Sequence, residues 1–274
     1  MSARESMQQR SPEWHEQWSM FQDDERFLFE DWIKPATLAD FHDQDVLEGG
    51  CGGGQHTAMV AAIARQVTAV DLNTVDIARA RTRHLANVTF VEADLATMDL
   101  GRTFDVVFSI GVIHHTDDPT RTFDNLYRHC KPGGRMIIWT YSAEGNALVR
   151  YGVEPVRRLL LSRLSRPLLL RIAQLITAAL YPPVHTLYRL PGLAFLPYFA
   201  YFANFRRLSF ERNVLNVFDK LNAPQTAFTT LATCRRWFNP DRFVADSISI
   251  RPYVGVSWRL TAIKCADVAS GPAG

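Results

Sequence analysis

Apolar and polar positions along the 274 residues fall into two rhythms. Short β-branched or aromatic runs read as strands: the apolar stretch closing at Val46-Leu47, then residues 66–71, 87–92, 103–110, 135–140, 245–251 and 256–264. Between them lie helical patterns over 59–65, from about Asn73-Thr74 onward, and over 229–238, where a threonine N-cap precedes an amphipathic run. Near the N-terminus Trp14, Trp18, Phe21, Leu28, Phe29 and Trp32 recur close to helical spacing, either as a core-packing stripe or as an aromatic lid over a cleft. Strands alternating with helices predict an α/β fold. A hydrophobic share of 47% supports a proper core, and the length fits one α/β domain with an elaboration better than two independent domains.

The stretch Val46-Leu-Glu-Gly-Gly-Cys-Gly-Gly-Gly54 carries the first chemistry. A strand turning tightly into a helix needs positive φ or close backbone approach to whatever sits above it, and glycine supplies both at Gly50, Gly52 and Gly54. A phosphate cradle would continue Gly-Lys-Ser/Thr, but Gln55-His56-Thr57 follows; a G-x-G-x-x-G pyrophosphate loop begun at Gly50 would need glycine where Gln55 stands. Both phosphate readings fail. Asp71 closes the next strand seventeen positions after Gly54, where it could accept both hydroxyls of a ribose or cap the helix that follows. Asp94, after the third strand, reads equally as a ligand or as an ordinary turn aspartate.

Glu48-Gly49-Gly50-Cys51-Gly52-Gly53-Gly54 resembles the E/D-x-G-x-G-x-G loop of class I S-adenosylmethionine-dependent methyltransferases. The later series Phe104-Asp-Val-Val-Phe-Ser109, His114-His-Thr-Asp-Asp-Pro119 and Lys131-Pro-Gly-Gly134 is similar to the subfamily that includes ubiquinone and menaquinone methyltransferases (methyltransferase type 11), over residues 43–141. The resemblance implies a Rossmann-like, seven-stranded, mostly parallel sheet with helices on both faces, an antiparallel last strand and a helical insertion before the final strands. It implies S-adenosyl-L-methionine as cofactor, held by Glu48, Gly50, Cys51, Gly52, Gly54, Asp71, Leu72, Asp94, Leu95, Ser109 and Gly111. Glu48 would reach the ammonium end, Asp94 the adenine amino group and the Leu95 amide a ring nitrogen. That ligand has an ammonium and a sulfonium, so an acidic residue at the strand tip suits it where a phosphate site would exclude one.

Charge changes the picture of the rest. Residues 150–212 hold ten arginines, no lysine and two acids, a charge of +8 that leaves −6 for the remainder of a chain whose net is +2. Residues 172–205 contain Arg189 as their one charged residue and are interrupted by Pro182, Pro183, Pro191 and Pro197, which predicts runs too broken to span a bilayer. Three uses fit this module: a plain helical cap with solvated arginines, a lid over a hydrophobic tunnel or a surface on anionic lipid, and an arginine cluster for a phosphorylated substrate. Arginines interleaved with leucines rather than stacking aromatics argue against nucleic acid. The expected organisation is a helical cap (1–40), a cofactor-binding core (41–143 and 225–266), a basic, apolar substrate lid (144–224) and a loose tail (267–274).

Cys51, Cys130, Cys234 and Cys265 form no C-x-x-C pair, so neither zinc nor disulfides are expected. Cys51 reads as a small turn residue rather than a nucleophile. No metal is expected, and residues 1–10 lack the apolar segment of a secretory leader. The expected location is cytoplasmic, with membrane association through 150–212 left open, as is oligomeric state. Methyl transfer from a sulfonium is an in-line displacement that needs alignment in a water-poor cleft; a base is required only where the acceptor must lose a proton. His114 and His115 are the candidates, and adjacency lets at most one face the substrate. The function read from this is methyl transfer to a lipophilic small molecule such as a quinone, prenyl, polyketide or lipid-like acceptor. The alternatives are transfer to a soluble sugar or natural-product intermediate, and non-catalytic cofactor binding. Asp219 is open between a solvated loop position and one facing the cleft.

Overall fold

The computed structural model describes residues 12–21, 26–161 and 164–266, so the expectations for the leader at 1–10 and the tail at 267–274 lie outside the described residues. Seven strands form one sheet: β1 (Asp45–Gly49), β2 (Gln66–Asp71), β3 (Val88–Glu92), β4 (Phe104–Ile110), β5 (Cys130–Tyr141), β6 (Ser249–Tyr253) and β7 (Ser257–Ile263), in the order β3-β2-β1-β4-β5-β7-β6. The first five pair in parallel, and β7 enters antiparallel between β5 and β6. The expected doubly covered, mostly parallel sheet with an antiparallel last strand is therefore the observed one.

Strand periodicity sorts side chains between two cores. Val46, Val106, Phe108, Ile137 and Trp139 face one core, with α2 (Arg26–Ile33) and α3 (Gln55–Ala61). Leu47, Val107, Met136 and Ile138 face the other, with α5 (Pro119–Arg128) and α10 (Leu231–Trp237). The N-terminal aromatic stripe divides between its two predicted uses. Leu28, Phe29 and Trp32 of α2 are buried in the core, whereas Trp14 and Trp18 of α1 (Pro12–Met20) lie over the cleft.

Three local expectations shift. The helix expected at 59–65 begins four residues earlier, directly after Gly54, which at φ +81° turns the chain into α3. The Lys131-Pro-Gly-Gly134 turn sits inside β5 as an irregularity: Phe104 pairs with Cys130 and Val106 already with Arg135. The sixth strand starts at Ser249 because Ala245–Ser247 form a short 3-10 turn.

The insertion between β5 and β6 is helical: α6 (Glu154–Leu159), α7 (Arg166–His185), α8 (Phe199–Phe205) and α9 (Phe210–Asn222). The expected proline break occurs at Pro191 and Pro197, between α7 and α8, but not at Pro182 and Pro183. Pro182 and Pro183 sit near the C-terminal end of α7, which runs 20 residues and is the one described helix long and apolar enough to cross a membrane. Its Leu169, Ala173 and Thr177 recur every fourth position and pack on Val214, Phe218 and Leu221 of α9, making a small core of the insertion's own.

Candidate active site

The sheet order reverses between β1 and β4, and in open α/β sheets ligands bind outside the carboxyl ends of the strands at that point. The glycine turn after β1, Asp71 ending β2, Ala93 and Leu95 after β3, Gly111, Val112, His115 and Thr116 after β4 and Tyr141 ending β5 all collect there, around a cavity of about 500 Å³.

The turn is built for close approach. Gly50 has φ +86°, and a Cβ there would lie 2.3 Å from Val112 Cγ2; Gly52 has φ +52°, and a Cβ there would meet Trp18 at 2.9 Å. Asp71 is pinned across the same turn. Its Oδ2 accepts the Gly52 amide at 3.1 Å and its Oδ1 the amides of Asn73 and Thr74 at 2.8 and 3.2 Å. The side chain thus holds the approach to α4 (Val75–Arg81) and also lines the cavity. Burial raises its carboxyl above the ordinary range, against the pull of those amides.

Glu48 sits beneath the turn. It is buried, its Oε2 accepts the Thr57 hydroxyl at 2.5 Å, and its Oε1 has no partner among the described residues. Burial lifts its pKa to about 8. An unsatisfied buried carboxylate oxygen beside a glycine-lined cleft suits a cationic N–H donor, so these residues fit the cofactor that the resemblance implies. Cys51 is buried with its thiol pushed up by desolvation, unsuited to nucleophilic chemistry.

Of the residues expected at the cofactor, Gly50, Cys51, Gly52, Asp71, Leu72, Leu95 and Gly111 form the cavity wall. Glu48, Gly54, Asp94 and Ser109 stand behind it. Asp94 Oδ1 accepts the Ala96 amide at 2.9 Å, and Ser109 Oγ donates to the Gly49 carbonyl at 2.7 Å, tying β4 to β1.

The two histidines part company. His115 lines the cavity, with the Trp14 ring 4.6 Å from its own. Its Nδ1 lies 2.8 Å from the Gln225 carbonyl, which can only accept, so the neutral ring carries its proton on Nδ1 and its lone pair on Nε2. Burial lowers its pKa, partly opposed by Asp219. His114 is buried outside the wall, its Nδ1 receiving the Tyr141 amide at 3.4 Å and lying 3.2 Å from the Thr140 hydroxyl.

The insertion supplies the other half of the cavity. Leu148, Val153, Ile176, Leu180, Tyr201, Phe202 and Phe205 give it an apolar stretch of wall, and Asn146, Asn204, Arg212, Asn216, Asp219 and Lys220 line it as well. Asp219, on helix α9 and not in a loop, accepts the Tyr141 hydroxyl at 3.0 Å and the Gln17 amide at 3.2 Å. Tyr141 and Gln17 carry no sequence signal for this. Only the end of β5, α1 and α9 converging in space make them neighbours. Three polar atoms on the wall, Trp139 Nε1, Asn204 Oδ1 and the Tyr253 hydroxyl, have no hydrogen-bond partner among the described residues.

Helix α1 closes the cleft from above. Arg81 donates to the carbonyls of Trp18 and Phe21 at 2.6 and 2.8 Å, and Arg166 of α7 reaches Glu13 at 2.6 Å and Glu16 at 3.1 Å. The helix is therefore latched to the core on one side and to the insertion on the other.

Comparison with known proteins places this geometry. Residues 47–138 match the methyltransferase domain family. A probable S-adenosylmethionine-dependent methyltransferase of Mycobacterium tuberculosis is 36% identical over 98 residues, 35% of each chain. A ubiquinone biosynthesis O-methyltransferase of Xanthomonas oryzae pv. oryzae is 34% identical over 123 residues, 42% of this chain and 51% of that one. The chain thus spans between about a third and a half of the length of these relatives. The fold alone is shared with magnesium protoporphyrin IX methyltransferase from Synechocystis PCC 6803, at 15% identity and a TM-score of 0.51 over 92% of this chain and 93% of that one. Through residues 47–138 the chain is similar to S-adenosylmethionine-dependent methyltransferases.

Proposed function

We propose that the protein transfers a methyl group from S-adenosylmethionine to a hydroxyl on the polar head of a lipophilic small molecule. The observation that carries this is one cavity with two unlike ends: a glycine turn beside Asp71, and an insertion wall that joins an apolar stretch (Leu148, Val153, Ile176, Leu180, Phe202 and Phe205) to the polar Asn146, Asn204, Arg212, Asn216, Asp219 and Lys220. When bound, the cofactor supplies an electrophilic methyl on a sulfonium, whose positive charge is lost on transfer. Glu48, with its unsatisfied oxygen, would hold the ammonium end from beneath the turn, Asp71 the ribose and the Leu95 amide the adenine, while Asp94 stands behind the wall and holds the Ala96 amide. Gly50 and Gly52 keep the backbone clear of side chains along this path.

The remaining residues work on the acceptor. The apolar wall binds its body and excludes water, which favours a displacement that disperses charge. Trp139 Nε1, the Tyr253 hydroxyl and Asn204 Oδ1 fix its polar head through hydrogen bonds they otherwise lack. His115, neutral at physiological pH with its lone pair on Nε2, takes the hydroxyl proton. The O-methyltransferase name of the Xanthomonas relative supports an oxygen acceptor.

The test is a series of phenolic acceptors with alkyl chains of increasing length, with adenosylhomocysteine formation as readout. Each methylene buried in the apolar arm is expected to raise kcat/KM about fourfold until the arm is full. A chainless, sugar-like acceptor turning over as fast as the longest chain would overturn the lipophilic assignment.

A further inference from the structure

The insertion's outward side is as unusual as its inner wall. Among the described residues fourteen large hydrophobic side chains are exposed, and eleven of these lie between Leu148 and Phe195. Leu175 is 70% and Phe195 78% exposed, and Leu159 and Leu160 about two-thirds. Helix α7 shows why this is no ordinary surface. Leu169, Ala173 and Thr177 face α9, while Leu168 and Leu175, one heptad apart, project from the opposite side. A surface helix of a water-soluble domain puts polar residues there.

The charges of this stretch are mostly positive. Between 145 and 210 the sequence has nine arginines and a single acid, Glu154, which is paired with Arg157 and Arg158. Arg171 and Arg189 are exposed and have no carboxylate within ion-pair distance among the described residues. Leu148 and Ile176 belong to two surfaces at once, since each lines the cavity and is also exposed, at 63% and 39%. The mouth of the cavity therefore opens onto the apolar face.

We propose that this face, from Leu148 to Phe195, seats the protein on an anionic lipid surface. Leucines and Phe195 enter the acyl boundary, Arg171 and Arg189 meet lipid phosphates, and the acceptor passes from the bilayer past Leu148 and Ile176 without crossing water. The complementarity of lone arginines with anionic headgroups favours lipid over a second copy, whose matching face would present the same positive charge. A transmembrane role for α7 is the poorer fit, because one side of it is committed to α9 and its first residue, Arg166, to Glu13 and Glu16. The docking stands on the surface alone; only the entry route rests on the lipophilic-acceptor reading.

Flotation of the whole protein on phosphatidylcholine vesicles, with and without about a third phosphatidylglycerol, tests it. The protein is expected to float with the anionic vesicles, and binding should fall about fivefold for each of Arg171→Gln and Arg189→Gln and drop steeply at high salt. Leu175→Glu with Phe195→Glu should abolish flotation while calorimetry shows unchanged uptake of adenosylhomocysteine, because both side chains lie away from the cavity wall. Wild-type protein that stays unbound on anionic vesicles overturns the proposal. So does a sedimentation result in which this pair of substitutions converts a dimer to a monomer without affecting vesicle binding. Long-chain acceptors preferred in detergent by a protein that binds no vesicles would sink the docking and leave the substrate reading intact; vesicle binding with a preference for chainless acceptors would do the reverse.

Discussion

Glu48 is where local chemistry has the sharpest consequences. Its folded pKa of about 8 lies well above that of a solvated carboxylate, so between about pH 5 and 8 the folded protein keeps a proton that the unfolded chain gives up. A group raised in this way stabilises the fold at low pH and loses that contribution as pH rises towards 8. Thermal unfolding of the cofactor-free protein should therefore show stability falling across this window, by at most ~1.4 kcal/mol per pH unit, and Glu48→Gln should flatten the profile. Binding of the cofactor ammonium favours the carboxylate, so uptake should release a proton and strengthen with pH up to about 8. Calorimetry in buffers of different ionisation enthalpy reads that proton, and a buffer-independent enthalpy would remove Glu48 from the ammonium site. At the histidine pair the expectation is asymmetric. His115→Gln should lower kcat roughly 100-fold or more with cofactor affinity unchanged, the range typical of a lost general base. His114→Gln should act mainly on stability, measured as a lower unfolding temperature. Equal kinetic losses from both would argue for a shared structural role.

Among the elements, α1 and α9 decide how the site is enclosed. Arg81 ends α4, yet holds the last turn of α1 through two carbonyls, and its Nη1 lies 3.5 Å from the Gly53 carbonyl. Arg81→Ala should free the helix bearing Trp14 and Trp18 from the glycine turn. Release of adenosylhomocysteine, followed through tryptophan fluorescence, is expected to quicken about tenfold, the scale of one or two lost charge-assisted hydrogen bonds. In the insertion, Phe218 is fully buried between α7 and α9, and Phe218→Ala should cost roughly 3–5 kcal/mol by denaturant unfolding. A much smaller cost would mean that the two helices do not share a core. The same two elements show where sequence reading stops. The tryptophan spacing of α1 is visible in the chain, but which half packs in the core and which covers the cleft depends on the path between α1 and α2. Asp219, open in the sequence between a solvated loop position and the cleft, finds its place on α9 only when Tyr141 and Gln17 arrive from elements 78 and 202 residues away in sequence.

For the whole molecule, the glycine-turn crevice and the insertion face each other across one cavity, and the insertion carries apolar side chains on both its inner and its outer side. On the proposed reading, the strand ends hold the methyl donor while the insertion shapes what can approach it. Loss of selectivity, with the cofactor half intact, is the expected result of enlarging or polarising the insertion wall. Phe202→Ser should reduce kcat/KM for a long-chain acceptor about tenfold or more and leave adenosylhomocysteine affinity within about twofold, measured by steady-state kinetics and calorimetry.

The sequence by itself determined the succession of elements: seven short β-branched or aromatic runs, the Glu48 to Gly54 turn, Asp71 and Asp94 at or just after successive strand ends, and the concentration of arginine and apolar residues in 150–212. These are local properties, set by backbone conformation, side-chain alternation and composition, so they survive in a one-dimensional reading. The tertiary structure alone decided which of these residues share a space. It set His115 on the cavity wall and His114 behind it, carried Asp219 to Tyr141, ran α7 unbroken to His185 despite its prolines, and opened the cavity at Leu148 and Ile176. Such outcomes depend on contacts between segments far apart in the chain, where packing and burial rather than local propensity set the energy.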